Sequence, residues 1–331
     1  MLKLAEFDYP LPKELIAQYP LEKREEARLL VLDRRAQTIQ HKVFKELGGF
    51  LNKNDLLVLN DTKVLLCRLI GKKTTGGKVE ILLTRRQNGT TFSCLLQPSR
   101  TKTGEKILFA GGQITGILSS RGHISFKQED ANRIYNFGIV PLPPYIKREP
   151  EDLDKLYYQT VYAKHEGALA SPTAGLHFTD ESLQEIKQAG VNIAYVTLHV
   201  GLGTFRPVKC ENILEHKMES ENFVVPDATV EAVAKAKKDG GRIIAVGTTS
   251  LRALETYAAA GRKEGNTDLF IYPGYKFQLV DALLTNFHLP MTTLFMLVCA
   301  FAGKEFMQKA YREAVEQKYR FYSYGDAMLI I

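Results

Sequence analysis

The sequence predicts an α/β protein in which an all-β domain interrupts a larger domain built from both ends of the 331-residue chain. Strand and helix patterns alternate at both ends, whereas the middle segment shows only short strands. The whole net positive charge also lies in that segment. We therefore predict an α/β domain over residues 1–60 and 150–331 and an inserted basic β domain over residues 61–149.

The first clear strand is DLLVLN, which ends at the turn Asn60–Asp61. Short segments without helical periodicity follow, separated by turn sequences such as TTGG and QNG; they are RLIGKK, KVEILLT, TFSCLLQ, KILFA, ITGILSS and HISFK. Strands of this length and spacing predict a small β-barrel or a β-sandwich. The proline-rich stretch Pro141–Tyr145 ends the segment.

Strand and helix patterns alternate again after this proline-rich stretch. We predict a helix near residues 180–189, ended by Gly190, and then a strand rich in β-branched and aromatic residues. PDATVEAVAKAKKDGG has an acidic start and a lysine-rich end, as the helix dipole favours. The remaining predicted elements are the strand RIIAVG, a helix in TTSLRALETYAAAG, the strands LFIYP and VDALLT, helices over Thr292–Ala302 and Glu305–Tyr319, and the final DAMLII.

The charge distribution favours a polyanionic partner. Between Asp61 and Pro150 there are 15 Lys and Arg against 6 Asp and Glu, whereas the rest of the chain has 29 against 31. A basic segment of this kind is typical of nucleic-acid binding, although a lysine-rich protein surface has the same composition.

Cysteine usage and apolar segments exclude other classes. The four cysteines, Cys67, Cys94, Cys210 and Cys299, form no C-x-x-C pair, which indicates a reduced, cytoplasmic protein without a structural zinc. The N-terminus lacks the apolar run of a signal peptide. The most apolar segment, Leu289–Gly303, is too short to span a membrane, so we expect a core helix there and no membrane partner.

The stretch TLHVGLGTFRP, residues 197–207, superficially matches a dinucleotide-binding turn. Arg206 stands where the third glycine of that motif would be, Pro207 follows, and no helical pattern begins before about Asp227. The stretch therefore opens a loop. Gly201 and Gly203 allow a close approach of the backbone there, either to a ligand or within an ordinary turn.

Small polar residues fill four loops at strand ends, where α/β folds bind ligands: SPTAGLHF, HVGLGTFRP, VGTTSLR and TNFHLP. The run Thr248–Ser250 leads into a helix, so its hydroxyls and amides suit an anion or simply cap the helix. His177, His199 and His288 each lie in one of these loops, as catalytic or as structural histidines. Their spacing matches no compact zinc-ligand pattern, and we predict no metal.

Together these motifs resemble the S-adenosylmethionine:tRNA ribosyltransferase-isomerase family of queuosine biosynthesis. The resemblance extends over essentially the whole chain and includes FDYPLPKELIAQYPLEKR, LLVLNDTKV, PLPPYIKR, YQTVYA, SPTAGLHFT, TLHVGLGTFRPV, GRIIAVGTTSLRALE, LTNFHLP, LVCAFAG and YRFYSYGDAMLI. It implies a discontinuous, barrel-like α/β domain with an inserted small all-β barrel.

The resemblance also implies an uncommon reaction. S-adenosylmethionine is a consumed ribosyl donor, and the acceptor is the aminomethyl group of 7-aminomethyl-7-deazaguanine at the wobble position of a tRNA with a G-U-N anticodon. The ribosyl group is transferred and rearranged to give epoxyqueuosine, and adenine and methionine leave. No metal or other cofactor is implied, and we expect a cytoplasmic monomer.

This chemistry needs a base for a proton beside the sulfonium, an acid for adenine and groups that hold the methionine carboxylate. We predict His177 or His199 as the base, with His288 as a further candidate. Arg206 or the hydroxyl run Thr248, Thr249 and Ser250 would hold the carboxylate. Glu221 and Asp326 would hold the methionine ammonium or orient a histidine. The predicted S-adenosylmethionine site is completed by Thr173, Gly175, Gly201, Gly203, Thr204 and Asn286.

For the tRNA, the basic β domain is expected to bind phosphates, which makes binding salt-dependent. The candidate residues are Lys63, Arg68, Arg100, Lys102 and Arg148.

The sequence departs from the family pattern in three places. Glu219 replaces the second histidine of the family's His-x-Met-His-x-Glu stretch, Met291 replaces a usual lysine, and a usual proline near Leu65 or Leu66 is absent. Two other classes of function stay open at this point. An S-adenosylmethionine-dependent RNA methyltransferase would release S-adenosylhomocysteine, and a non-catalytic RNA-binding protein would not account for the four polar loops.

Overall fold

The computed structural model describes residues 2–201 and 208–331 and divides into two compact units. The first unit comprises Met1–Lys63, Pro144–Arg148 and Gln159–Ile331, and the second comprises Val64–Pro143 and Glu149–Tyr158. The strands, in chain order, are β1 (Arg28–Asp33), β2 (Thr38–Val43), β3 (Leu56–Asn60), β4 (Thr62–Val64), β5 (Arg68–Lys73), β6 (Lys78–Arg86), β7 (Thr91–Gln97), β8 (Lys106–Phe109), β9 (Ile114–Ser120), β10 (His123–Phe126), β11 (His165–Ala168), β12 (Asn192–Leu198), β13 (Glu221–Val224), β14 (Ile243–Val246), β15 (Glu264–Thr267), β16 (Ala282–Asn286) and β17 (Ala327–Ile330). The α-helices are α1 (Gln128–Arg133), α2 (Asp152–Tyr157), α3 (Asp180–Gln188), α4 (Asp227–Lys238), α5 (Gly247–Ala260), α6 (Thr293–Ala302) and α7 (Lys304–Glu316).

A nine-stranded mixed sheet organises the first unit, in the order β15-β13-β12-β3-β14-β16-β17-β1-β2. Strands β12, β3, β14 and β16 are mutually parallel, and every residue of β3, β14 and β16 is buried. Burial on both faces explains why these strands are nearly continuous apolar runs. Because they are parallel, their carboxyl ends meet at one edge of the sheet, where α/β folds place ligands.

Alternate residues of β3 enter two separate cores. Leu56 and Val58 pack into one core with residues of α4, α5, α6 and α7, whereas Leu57 and Leu59 pack into the other with Phe44 and residues of α3. The sheet is therefore covered on both faces, as its parallel strands require.

The second unit contains a closed barrel of six antiparallel strands, in the order β10-β7-β6-β5-β8-β9. Two glycines in its strands leave space for neighbouring side chains inside the barrel. A Cβ on Gly71 would lie 2.7 Å from the ring of Phe109, and one on Gly116 would lie 2.6 Å from Ile124. The strand spacing is compatible with either a barrel or a sandwich, and the structure shows that this unit forms a barrel.

The predicted α/β class with an inserted β-barrel is confirmed. One detail differs, because within the described residues the large sheet has two free edges, at β15 and β2, and is not closed like a barrel. The predicted strand LFIYP is wrong. The backbone of Leu269, its first residue, bonds to side chains instead of to a neighbouring strand. The Leu269 amide donates to Thr267 Oγ1, and the Leu269 carbonyl accepts from Arg252 Nε.

None of the helices that the structure describes is long and apolar enough to cross a membrane.

Candidate functional site

A cavity with about 480 Å³ of empty space, part of which is open solvent at its mouth, lies at the carboxyl edge of the parallel strands in the first unit. The structure brings five of the predicted site residues to its wall: Thr173, Thr248, Thr249, Asn286 and His288. The wall also contains five polar residues outside that predicted set. Ser171 and Thr285 belong to the predicted loops SPTAGLHF and TNFHLP, whereas Tyr145, Tyr322 and Ser323 lie outside the four loops.

Helix α5 begins at one wall of the cavity. Gly247 has a φ of 86°, a left-handed conformation that turns the chain from β14 directly into the helix. Thr248 and Thr249 line the cavity beside the first free amides of the helix, as an anion-binding site requires. Ser250 differs, because its Oγ donates to the Val246 carbonyl at 2.7 Å and lies outside the lining.

Asn60, at the end of β3, holds three elements of this edge together. Its Nδ2 donates to the Leu198 carbonyl at 3.0 Å and to Thr249 Oγ1 at 3.1 Å. Its Oδ1 accepts from the amides of Leu198 and Thr62. The side chain is fully buried and all its donors and acceptors are engaged, so it fixes β12 and the start of α5 relative to β3.

Two polar atoms in the cavity wall have no hydrogen-bond partner among the described residues. They are Ser171 Oγ and Asn286 Oδ1, and both side chains are buried. A buried polar atom without a partner is costly, so each such atom in a native fold requires an explanation. Both atoms lie in the wall of the cavity, where a bound ligand can supply the missing partners.

Tyr322 places its backbone under strain at the same wall. Its φ is 73°, a left-handed conformation that costs an aromatic residue about 1–3 kcal/mol. This conformation turns its carbonyl to within 3.1 Å of Asn286 Nδ2, while its ring packs edge-on against Tyr145 at 3.9 Å. The Tyr145 hydroxyl is in turn 2.5 Å from Ser323 Oγ. Strain of this kind concentrates at functional sites, which supports the assignment of the cavity.

His177 and His288 both contact the end of β16. His177 Nε2 is 3.3 Å from Asn286 Nδ2, and its ring lies 5.0 Å from that of Phe44. His288 Nε2 is 3.0 Å from Thr285 Oγ1, and its backbone bonds to the hydroxyls of Tyr311 and Tyr9. Burial lowers the pKa of His177 to about 4 and that of His288 to about 3, so both imidazoles are neutral at pH 7.

The depressed pKa of His288 predicts acid-sensitive stability. An unfolded histidine has a pKa near 6.5, so below that pH the unfolded state binds a proton that the folded state does not. Stability is therefore complete above about pH 6.5 and falls as the pH drops toward 3. We expect His288 to account for roughly 2 kcal/mol of the loss at pH 5 relative to pH 8.

Urea unfolding of the wild type and of His288→Gln at both pH values measures this contribution. The glutamine variant should lose less stability between pH 8 and pH 5, by that amount, whatever its stability at pH 8. Equal pH dependence of the two proteins would contradict the prediction.

His199 lies apart from these two histidines. Its Nδ1 is 2.8 Å from Thr62 Oγ1, and the Gly167 backbone packs so closely against its ring that a Cβ there would lie 2.7 Å away. Burial and the neighbouring His165 lower the pKa of His199, while Asp61 raises it. His199 is half-buried and directly precedes Val200, which lines the cavity.

Four other predicted site residues make contacts within the protein: Gly175, Gly201, Glu221 and Asp326. Glu221 forms a buried ion pair with Arg252 and accepts the Gly201 amide at 2.8 Å. Asp326 accepts from the amides of Arg28 and Arg320, and lies outside the cavity lining. A Cβ on Gly175 would lie 1.9 Å from the Tyr162 hydroxyl, so this glycine allows a close approach within the protein. Gly203, Thr204 and Arg206 lie outside the described residues.

The five candidate tRNA residues differ in how their charges are compensated. Lys63 pairs with Glu166, and Arg68 binds both Glu80 and Glu149. Arg148 donates to the Gln18 carbonyl and lies over the Tyr19 ring. Arg100 and Lys102 are exposed in the loop between β7 and β8.

Within residues 2–201 and 208–331 there is no group of three or more His, Cys, Asp and Glu side chains placed to hold a metal ion.

Comparison with known proteins gives a consistent result over the whole chain. Residues 4–330 match the family described as queuosine biosynthesis protein. The chain is 51% identical to the S-adenosylmethionine:tRNA ribosyltransferase-isomerase of a Sulfurihydrogenibium species and 50% identical to that of Thermotoga maritima, over 100% of both chains in each case. It is also similar to the crystal structure of S-adenosylmethionine tRNA ribosyltransferase from Thermotoga maritima, with a TM-score of 0.58 and 40% identity over 98% of this chain and 100% of that one.

Proposed function

This chain belongs to the queuosine biosynthesis family of S-adenosylmethionine:tRNA ribosyltransferase-isomerases, and from that premise we propose its specific reaction. It transfers the ribosyl group of S-adenosylmethionine to 7-aminomethyl-7-deazaguanine at the tRNA wobble position and isomerises it to give epoxyqueuosine. Adenine and methionine are released, and S-adenosylmethionine is consumed as a substrate rather than retained as a cofactor. We further propose that the protein acts as a cytoplasmic monomer on tRNAs with a G-U-N anticodon.

One observation supports this proposal above the others. The cavity combines the amino end of α5 with two buried polar atoms, Ser171 Oγ and Asn286 Oδ1, that have no hydrogen-bond partner in the described part of the chain. A ligand that satisfies both features carries hydrogen-bonding groups and an anionic group, as S-adenosylmethionine does with its adenine, ammonium and carboxylate. The hydroxyls of Thr248 and Thr249 and the first amides of α5 would hold the carboxylate.

We assign the general base to His199. The sulfonium acidifies the adjacent 5′ methylene, and His199 Nε2 would remove one of its protons to form an ylide. The carbanion breaks the bond between C4′ and the ring oxygen, and this oxygen becomes a C1′ carbonyl as adenine leaves and takes up a proton. The substrate's aminomethyl nitrogen then adds to C4′ and loses a proton, which regenerates the C5′ ylide. The ylide carbon attacks C1′ to close the five-membered ring, and the resulting alkoxide displaces methionine from C5′ to form the epoxide. His177 is less suited to the role because its Nε2 faces the Asn286 amide, and His288 because its pKa is lowest.

Analysis of the small products tests the reaction. The protein is incubated with S-adenosylmethionine and tRNA carrying 7-aminomethyl-7-deazaguanine, and the products are identified by mass spectrometry. We expect equal amounts of adenine and methionine, with none formed when the same tRNA carries guanine at the wobble position. Release of S-adenosylhomocysteine would indicate methyl transfer and refute the proposal.

A second prediction concerns the tRNA interface. Replacing Arg100 and Lys102 together by alanine should weaken tRNA binding and reduce the slope of log K against log salt by about 1–2, because two phosphate contacts are lost. Replacing Lys235 and Lys238, exposed lysines of α4 in the other unit, removes the same charge as a control. Fluorescence anisotropy at several salt concentrations gives both slopes. Equal slopes for the two double variants would exclude Arg100 and Lys102 from the interface.

A further inference from the structure

The amide of Asn286 is held in one orientation. Its Nδ2 lies 3.1 Å from the Tyr322 carbonyl oxygen and 3.3 Å from His177 Nε2. A carbonyl oxygen only accepts hydrogen bonds, so the amide nitrogen, and not Oδ1, must face Tyr322. The second amide proton then points to His177 Nε2.

This geometry fixes the tautomer of His177. Nε2 must be unprotonated to accept from Asn286, so the ring proton is on Nδ1. A hydrogen bond with the Arg24 backbone acts on the same ring, and Phe44 packs against its face. Burial holds the pKa of His177 near 4, so this arrangement persists at neutral pH.

With both amide protons engaged, Asn286 Oδ1 is left as an acceptor at the cavity wall. It is buried and has no partner among the described residues. An oxygen fixed in this way accepts a hydrogen bond from a ligand N–H and repels a ligand carbonyl.

We propose that Asn286 Oδ1 recognises an N–H group of the substrate, and that His177 is the positioning residue that keeps this oxygen directed into the cavity. The inference rests on the proposed function for the identity of the substrate. S-adenosylmethionine offers two such groups, the exocyclic amino group of adenine and the ammonium of its methionine part.

Binding of three non-reactive ligands in the absence of tRNA distinguishes these sources. They are S-adenosylhomocysteine, its inosine counterpart with a carbonyl in place of the adenine amino group, and its desamino counterpart without the methionine nitrogen. Calorimetry of the wild type should show at least tenfold weaker binding of the inosine ligand if adenine is recognised. The same loss for the desamino ligand would identify the ammonium.

Variants then test the role of His177. Asn286→Ala removes the acceptor, and His177→Phe keeps a ring against Phe44 but lets the amide rotate. Both should reduce the preference to less than threefold. His177→Gln retains an acceptor for the amide and should restore most of the preference. His41→Phe, at a histidine bonded to Tyr319 and Glu313, should leave all three affinities unchanged.

Three results would overturn the inference: no preference in the wild type, a preference that survives Asn286→Ala and His177→Phe, or no binding of any of the ligands. The test does not depend on turnover. If the product assay fails while the ligand preference depends on Asn286 and His177, the acceptor site is supported and the proposed reaction is refuted. If the product assay succeeds and the preference is unaffected, only this inference fails.

Discussion

His199→Ala is expected to lower kcat by about 10²–10⁴-fold, the range measured when a general base is removed. The imidazole lies at the end of β12, where Thr62 fixes Nδ1 and, among the described residues, no hydrogen bond engages Nε2. The free nitrogen is therefore available to a substrate proton. S-adenosylmethionine binding should change little, because the base acts on the transition state and not on the bound ground state.

The pH profile gives this prediction a distinctive signature. A base works only when unprotonated, so kcat/KM should fall as the pH drops through the pKa of His199. Burial and His165 hold this pKa below 6.5, so the midpoint of the fall should lie below pH 6.5. The alanine variant should lack this acidic limb in its residual activity.

His165→Ala is the matched control. His165 is an exposed neighbour that lies 3.5 Å from Asp61 and lowers the pKa of His199. Its removal should keep kcat within about threefold and move the acidic limb to higher pH. If His199→Ala instead keeps a wild-type kcat with an unchanged acidic limb, the base is another group.

The elements that the sequence predicts well are those with a strong local signal. DLLVLN and RIIAVG are apolar along their whole length because β3 and β14 are buried on both faces. PDATVEAVAKAKKDGG forms α4 as its terminal charges indicate. LFIYP has the same local composition as a strand, but Thr267 and Arg252 bind its backbone, and no local pattern records such contacts.

The site residues likewise include some with a local sequence signal and some that depend on distant parts of the chain. Loops at strand ends identify Thr248, Thr249, Asn286 and His288, because parallel strands bring their carboxyl ends together. The role of Asn60 has no local signal, because it depends on Leu198 and Thr249, which are 138 and 189 positions away in sequence. Ser171 is notable for a hydroxyl without a partner among the residues that the structure describes, and Tyr322 for its strained φ; only coordinates reveal either feature.

The buried pair of Glu221 and Arg252 carries the second large expected effect. Both side chains are almost fully buried, and the pair joins β13 to α5, the helix that borders the cavity. Arg252 Nη2 already has no partner among the described residues. Glu221→Ala would leave this guanidinium as an uncompensated buried charge and remove the acceptor of the Gly201 amide. We expect a loss of about 3–5 kcal/mol in the free energy of unfolding.

A set of variants separates charge burial from packing. Glu221→Gln keeps the shape and an acceptor for Gly201, so it should cost less than Glu221→Ala. Glu221→Leu combined with Arg252→Met removes both charges and should recover part of the loss, because no isolated charge stays buried. Lys237→Ala breaks the exposed pair with Asp281 and should cost less than about 1 kcal/mol. Urea unfolding measures all four, and a Glu221→Ala cost no larger than that of Lys237→Ala would show that the buried pair does not stabilise this edge of the sheet.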